Sequence, residues 1–363
     1  MAQHFLLSAA SRDLCAYDIA GWSEEDAFWF FVEQRWGNRN TQTCPSCGVV
    51  DAHYFRSKRL QWRCRHCDRS FSVTSGTPFD SRKMPFRKMM LGISLYLSGA
   101  KGKSAIQLAR EINVNVKTAF VFIGKLRECL LRNRSVEKLC GQVQIDGGHF
   151  GGKPRKKNFR NRPDHAAIAN KVEGILNPSI KKQGKKRHYA YSKENVERRK
   201  KRRIVMVLRE IYPEEKRGAR RTIVSIAMSE NERDAIELAH RYIDPDAYIW
   251  TDENTAYGQL SAWWEHEAVS HSEMFYRPDG VNENQAESYF SRLRRCEYGV
   301  VHRITPKYLM DLSNDMAWRE DVRRLSEGEK MKELFSKIMK NGLSRWWRGY
   351  FQGHHREGEF LML

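Results

Sequence analysis

In the stretch SEEDAFWFFVEQRWG, residues 23–37, apolar side chains recur at helical spacing behind a Ser/Glu start. This predicts an amphipathic helix within an N-terminal helical segment, residues 1–40. Residues 80–135 carry several short amphipathic stretches and are expected to be helical. At Gly141 the pattern changes. GQVQID, RIVMVLREIY, RTIVSIAMS and AYIWTD are β-rich runs, with helical stretches between and after them. That order predicts a mixed α/β domain over residues 140–325. Residues 326–363, which end in RWWRGYFQGHHREGEFLML, are expected to form a helical, partly ordered tail. No internal repeat is visible. The longest apolar run, around MMLGISLYL, is too short to span a membrane, and the N-terminus lacks the basic start of a signal peptide.

Charge sharpens this picture. Among 363 residues, 64 Lys and Arg face 44 Asp and Glu. The excess favours a polyanionic partner, most simply nucleic acid, over a basic protein with none. Between Lys153 and Arg203 stand nineteen Lys/Arg and four Asp/Glu, three quarters of the net charge of +20. This insert also carries Gly, Pro, Asn and Ser and little apolar periodicity. It reads either as a solvated loop or as an arm that folds against phosphates. In the second case Lys153, Arg155, Lys156 and Lys157 are DNA contacts at its start.

Eight cysteines are too few for a disulfide scaffold, and four stand at metal spacing, which fits a reducing cytosol. CPSCG supplies Cys44 and Cys47; CRHC supplies Cys64 and Cys67. Two such pairs let two hairpin knuckles present four thiolates to one tetrahedral Zn²⁺ within a zinc ribbon, residues 41–79. The alternatives are a redox dithiol, which needs only one pair, or four ordinary buried cysteines. With four thiolates the site is closed, so the zinc is structural, and His53 and His66 read as surface residues. Cys15, Cys129, Cys140 and Cys296 show no ligand spacing and read as core or partly buried thiols.

GKSAIQLAREINVNVKTAFVFIGKLRECL, residues 102–130, breaks into a short helix, an NVN turn and a second helix. This pattern is that of a helix-turn-helix, whose second helix would bring Lys117, Thr118, Lys125 and Arg127 to DNA. A helical hairpin inside a small bundle has the same pattern.

Three acids complete the candidate chemistry. Asp146 ends the run GQVQID before a pair of glycines, and Asp252 ends AYIWTD. In NENQAESYFSRLRR a helix carries Asn284, Glu287, Ser291 and Arg294 along one face. Two aspartates on neighbouring strand ends and a glutamate on a packed helix can hold two Mg²⁺ or Mn²⁺ ions. Such a pair stabilises both the attacking and the leaving oxygen in phosphoryl displacement. Taken singly, each acid reads as an isolated surface carboxylate; the arrangement strand end, strand end, helix favours the joint reading. His149, three residues past Asp146, reads as a strand-face histidine or as a contact to substrate or water.

At these residues the chain resembles the zinc-ribbon DDE transposases of bacterial insertion sequences, an ISXO2-like group related to the Merlin elements. The likeness covers about residues 40–325 and rests on the ribbon, QIDGGHFGGKPRKKN, TDENTAY and NENQAESYFSRLRR. It implies an RNase H-like mixed-sheet catalytic core behind the zinc ribbon and a helical, helix-turn-helix-like DNA-binding region at residues 80–135. It further implies that Asp146, Asp252 and Glu287 are catalytic, with Asn284 a competing or auxiliary third ligand. Arg294 stands where the group usually has Lys, and Gly147 where an acid is commoner. The implied partners are double-stranded DNA, as element terminal repeats and target, and a second copy of the chain or more. The implied location is the cytoplasm, with no membrane partner. A non-catalytic DNA-binding regulator derived from a transposase shares the ribbon and the insert, and a nuclease without joining activity shares the acids.

Overall fold

The computed structural model describes residues 5–151, 197, 202–214, 217–269 and 284–362. Helix α1 spans Ala16–Ala20 and α2 spans Glu24–Trp36. The start of α2 is fixed by a capping box: Ser23 accepts from the Asp26 backbone N–H while the Asp26 carboxylate reaches back to Ser23. Gly37, at φ +75°, ends it in the left-handed conformation.

Two knuckles follow. Strands β1 (Gln42–Thr43) and β2 (Val50–Asp51) pair antiparallel and flank the turn that carries Cys44 and Cys47. Strands β3 (Tyr54–Arg56), β4 (Gln61–Arg63) and β5 (Ser70–Phe71) form an antiparallel sheet, and the second cysteine pair lies between β4 and β5. Trp62 on β4 stacks on Phe28 of α2 and on Phe71, so the small ribbon borrows its core from the preceding helix.

Helices α3 (Phe86–Ser98), α4 (Ala105–Glu111) and α5 (Val116–Arg132) occupy the region expected to be helical. Ser104 and Asn115 cap α4 and α5. The core under these helices is continuous with the ribbon. It also takes in Met331, Leu334, Phe335 and Ile338 from the late helix Glu327–Lys340, whose Phe335 ring meets Phe31 at 4.8 Å.

The second core belongs to a five-stranded sheet of order β10-β9-β6-β7-β8. Its members are β6 (Gln142–Phe150), β7 (Arg203–Ile211), β8 (Ala219–Ala227), β9 (Tyr248–Asp252) and β10 (Glu265–Val269). β6, β7 and β8 run antiparallel in sequence; β9 returns parallel to β6, and β10 parallel to β9. Helix α6 (Glu232–Tyr242) links β8 to β9 and covers one face with Leu238, Ala239 and Tyr242. Helices α7 (Asn284–Cys296) and α8 (Pro306–Asp321) cover the other with Tyr289, Leu293, Leu309 and Met316. The mixed α/β architecture expected from the hydrophobic pattern is therefore present.

Three expectations need correction. Asp146 does not end its strand: β6 continues to Phe150, because every residue from Val143 onward pairs with β7. The closing segment is not a loose tail. After α9 (Glu327–Lys340) the chain docks on α5, where the buried Glu128 accepts from Ser344 Oγ at 2.6 Å and from the Arg345 N–H at 2.7 Å. His53 is buried against Phe71 rather than exposed, whereas His66 lies outside and pairs with Asp51 at 3.1 Å. Of the remaining cysteines, Cys129 and Cys296 are buried, Cys15 is half-buried and Cys140 is exposed. The insert's Lys153, Arg155, Lys156 and Lys157 lie outside the described residues. Arg203 at its end is part of β7, its guanidinium on Glu359 at 2.6 and 2.7 Å. No helix among the described residues is long and apolar enough to cross a membrane.

Candidate active site

The geometry around Asp146 follows from strand register. The parallel pairing of β6 with β9 ends at Gln144 opposite Trp250. Asp146 and Asp252 each stand two residues further on and, by the two-residue alternation, on the same side of their strands as Gln144 and Trp250. Beyond that point β6 and β9 are no longer paired, which leaves an opening at the strand ends.

Helix α7 is anchored on that face. The buried side-chain oxygen of Gln144 accepts from the Gln285 N–H at 3.1 Å and the Ala286 N–H at 3.3 Å. The buried Arg209 donates to the Gln285 carbonyl at 2.6 Å and pairs with Glu320 at 3.3 Å. Glu287 lies in the first turn of the helix so held, and its side chain is exposed. Arg294, two turns on, is exposed with its guanidinium 5.6 Å from the Phe150 ring. The Asn284 side chain lies outside the description.

Electrostatics mark the same place. Burial pushes the Asp146 carboxyl up to about 7; the Gly147 N–H opposes the rise, and the charges of Asp252, Glu230 and Glu287 add to it. Asp252 accepts from the Asn254 N–H at 3.0 Å. Among the described residues no Lys or Arg pairs with Asp146, Asp252 or Glu287. The acids share a field without closing into a tight cage, since the four cysteines are the single group of three or more ligands packed within 4.8 Å among the described residues. A set of oxygen donors fits a hard divalent ion and gives no soft ligand to a thiophilic one.

Glu230 and Tyr257 lie behind Asp146, on the other face of β6, and carry no sequence motif. Glu230 follows β8, three residues past its end, and reads in sequence as an ordinary acid ahead of a helix. Burial raises its carboxyl, the Tyr257 hydroxyl donates to it at 2.7 Å, and Asp252 raises it further. His149 is exposed; its Nε2 lies 4.0 Å from Glu230. It lines an open cavity of about 470 Å³ with Arg202, Ser229, Glu230 and Asn254.

The four cysteines converge. Cys44 Sγ lies 3.7 Å from Cys67 Sγ, and Cys47 Sγ 3.6 Å from Cys64 Sγ. A tetrahedral ion with Zn–S bonds of about 2.3 Å needs sulfur pairs about 3.8 Å apart, so the cluster fits a structural zinc. Burial opposes ionisation of Cys64, but the Cys67 and His66 N–H groups favour it and bring the thiol down to about 6.

The residues expected to face DNA separate into two groups. Lys117 and Thr118 are exposed in the first turn of α5. Lys125 is half-buried, 5.9 Å from the Phe79 ring, and burial lowers its pKa. Arg127 corrects the expectation: it turns inward to α8 and pairs with Asp315 at 3.0 Å. Arg319 also pairs with Asp315, at 2.9 Å. Beyond its first turn α5 is a core helix, covered by α8, α9 and the docked C-terminal segment.

Residues 138–321, about half of the chain, match the family described as ISXO2-like transposase domain, and residues 22–70 match the transposase zinc-ribbon domain. A protein of Halobacterium salinarum, described as an uncharacterized protein in transposable element ISH50, is 32% identical over 126 residues. That alignment covers 34% of this chain and 41% of the relative, so it spans about two fifths of the relative's length.

Proposed function

Because the chain belongs to the ISXO2-like transposase family, we propose that it is an insertion-sequence transposase that binds element ends and cuts and joins DNA through a DDE site. The sheet order, three antiparallel strands followed by two parallel ones, supports an RNase H-like core. One observation carries the catalytic reading. Asp146 and Asp252 each stand two residues past the last β6–β9 pair, and Glu287 lies in the first turn of the helix that Gln144 pins.

In this reading Asp146, Asp252 and Glu287 hold two Mg²⁺ or Mn²⁺ ions through carboxylate oxygens, with Asn284 as an alternative or auxiliary third ligand. When bound, such ions stabilise the attacking and leaving oxygens of an in-line displacement. Arg294 supplies a cation beside the acids to hold a phosphate oxygen. Lys117 and Thr118, at the presented end of α5, contact the element end in helix-turn-helix fashion. The ribbon keeps α2 and the neighbouring core in place through its zinc. Water is the first nucleophile, and the freed 3′-hydroxyl attacks target DNA second. Joining two ends in one reaction calls for a dimer or a larger assembly.

The test is incubation with end DNA and Mg²⁺, followed by separation of nicked and joined products. The D146A/D252A/E287A variant is expected to bind end DNA and yield neither product. Strand transfer by that variant overturns the catalytic assignment. End binding by the wild-type chain without nicking or joining identifies it as a DNA-binding regulator instead.

A further inference from the structure

A mostly apolar cavity of about 480 Å³ opens beside the presented end of α5. The first turns of α4 and α5 form one side of it, with Ile106 and Val116. The segment after α7 forms another: a π-helical turn, Glu297–Val301, followed by His302 at φ +57°. Such turns interrupt the regular helical ladder and recur at functional sites. The start of α8 and the docked C-terminal segment add rings. Phe120 lies 6.4 Å from Tyr308 and 5.2 Å from Trp347, and Phe351 lies 6.3 Å from Phe120. Ile106, Val116 and Phe351 are all exposed. Large apolar side chains gathered around one opening mark a place that something covers.

The charges of the lining say what that is. Its one acid, Asp311, is buried and held by Arg356 at 2.7 Å. Lys103 pairs with Glu111 at 2.8 Å, and Arg127 with Asp315 at 3.0 Å. Lys117 and Arg303 are exposed, and no carboxylate among the described residues pairs with either. A second copy of a chain with net charge +20 would bring further cations to this mouth, whereas a nucleic acid brings phosphates. The rings behind the cations suit a flat ligand, because any nucleobase offers a π-face to stack on an aromatic side chain. A base within the duplex is out of reach of such a cavity, and an extruded one is not.

We propose that this cavity takes one base extruded from the element-end duplex, with the phosphates beside it on Lys117 and Arg303. The inference rests on the reading of the chain as an end-binding transposase.

The test uses the full zinc-loaded chain without Mg²⁺ or Mn²⁺, so that the DNA stays intact. End duplexes carry 2-aminopurine, whose fluorescence is quenched by stacking, at successive positions. The bound wild-type chain is expected to raise the fluorescence several-fold at one position, and an abasic site there to tighten binding. Phe351→Ser is expected to remove most of the rise and to weaken binding about tenfold. Val116→Ser, at another exposed position, is expected to lower the rise less, and it decides the question if Phe351→Ser does not fold. Lys117→Ala is expected to weaken binding but to keep the rise once the DNA is saturated. End DNA bound with unchanged fluorescence at every position overturns the role of the cavity alone. Failure of the wild-type chain to bind end DNA overturns the reading beneath it. A rise left intact in Phe351→Ser, with altered sedimentation of the free chain, overturns the proposal in favour of a contact between copies.

Discussion

The side-chain oxygen of Gln144, two residues before Asp146 on β6, holds the first backbone N–H groups of helix α7 at 3.1 and 3.3 Å. One residue thus ties the strand that carries one candidate acid to the helix that carries another. Gln144→Ala leaves buried helix N–H groups without an acceptor and is expected to lower stability by about 1–3 kcal/mol. Strand transfer is expected to fall about tenfold or more, since a misplaced catalytic group loses rate steeply. Thermal melting and a joining assay, with end binding as the reference, check both parts. Wild-type joining in the variant would mean that α7 needs no such anchor.

Lys117 and Arg127 sit three turns apart on α5 and predict opposite phenotypes. Lys117→Ala is expected to weaken end binding and to lower the slope of log affinity against log salt by about 1. Arg127→Ala removes a partner of the buried Asp315 and is expected to cost about 3 kcal/mol of stability. Its salt slope should match the wild type. Equal salt-slope losses in the two variants would put Arg127 on DNA after all.

The zinc cluster predicts a coupled loss. Cys44→Ser, or exhaustive chelation, is expected to remove one zinc per chain and to loosen Trp62 against Phe28. Metal analysis and tryptophan fluorescence read the two effects. Because the ribbon shares its core with α2 and α3, the first melting transition should also move down.

Gly124 and Trp347 define the docking of the C-terminal segment. A Cβ at Gly124 would lie 2.3 Å from the indole ring. Gly124→Ala is expected to cost about 1–3 kcal/mol by overpacking and to expose the segment after Asn341 to protease. Limited proteolysis with mass spectrometry detects the new cut. An uncut segment with unchanged melting would show that the ring relocates freely.

Asp321 gives a pH prediction. Burial pushes its carboxyl up to about 7, and the Thr222 hydrogen bonds only partly offset this. The folded pKa lies above the unfolded one. The associated stability is therefore present below the ordinary carboxylate range and is lost as pH rises through about 7. The wild-type melting temperature should fall between about pH 4 and about pH 7 and level off above that. Asp321→Asn, neutral throughout, should fall less. Parallel curves would refute the assignment to this residue.

The sequence was most informative where periodicity alone decides structure. The helix after Ser23, the short helices before residue 133 and the strand ending at Asp252 all follow from local pattern and caps. The four cysteines were legible because ligand spacing is a local property. The extension of β6 past Asp146 has no local signal, because its length is set by pairing to β7, across the long basic insert. Arg127 read as a surface cation because its partner, Asp315, stands far along the chain on α8. Glu230 had no signature, since its place depends on a missing Cβ at Gly147 and a hydroxyl at Tyr257. Residues joined by tertiary contact rather than by spacing were the ones sequence could not link.

The aromatic contact between Phe31 and Phe335 bears on how the molecule is made. A nascent chain that has emerged from the ribosome through α5 still lacks α9, and with it one wall of the core around the ribbon. The core around the ribbon is therefore completed last, after the sheet has been synthesised. Products that end before α9 lack Met331, Leu334, Phe335 and Ile338 and leave the ribbon core open on that side.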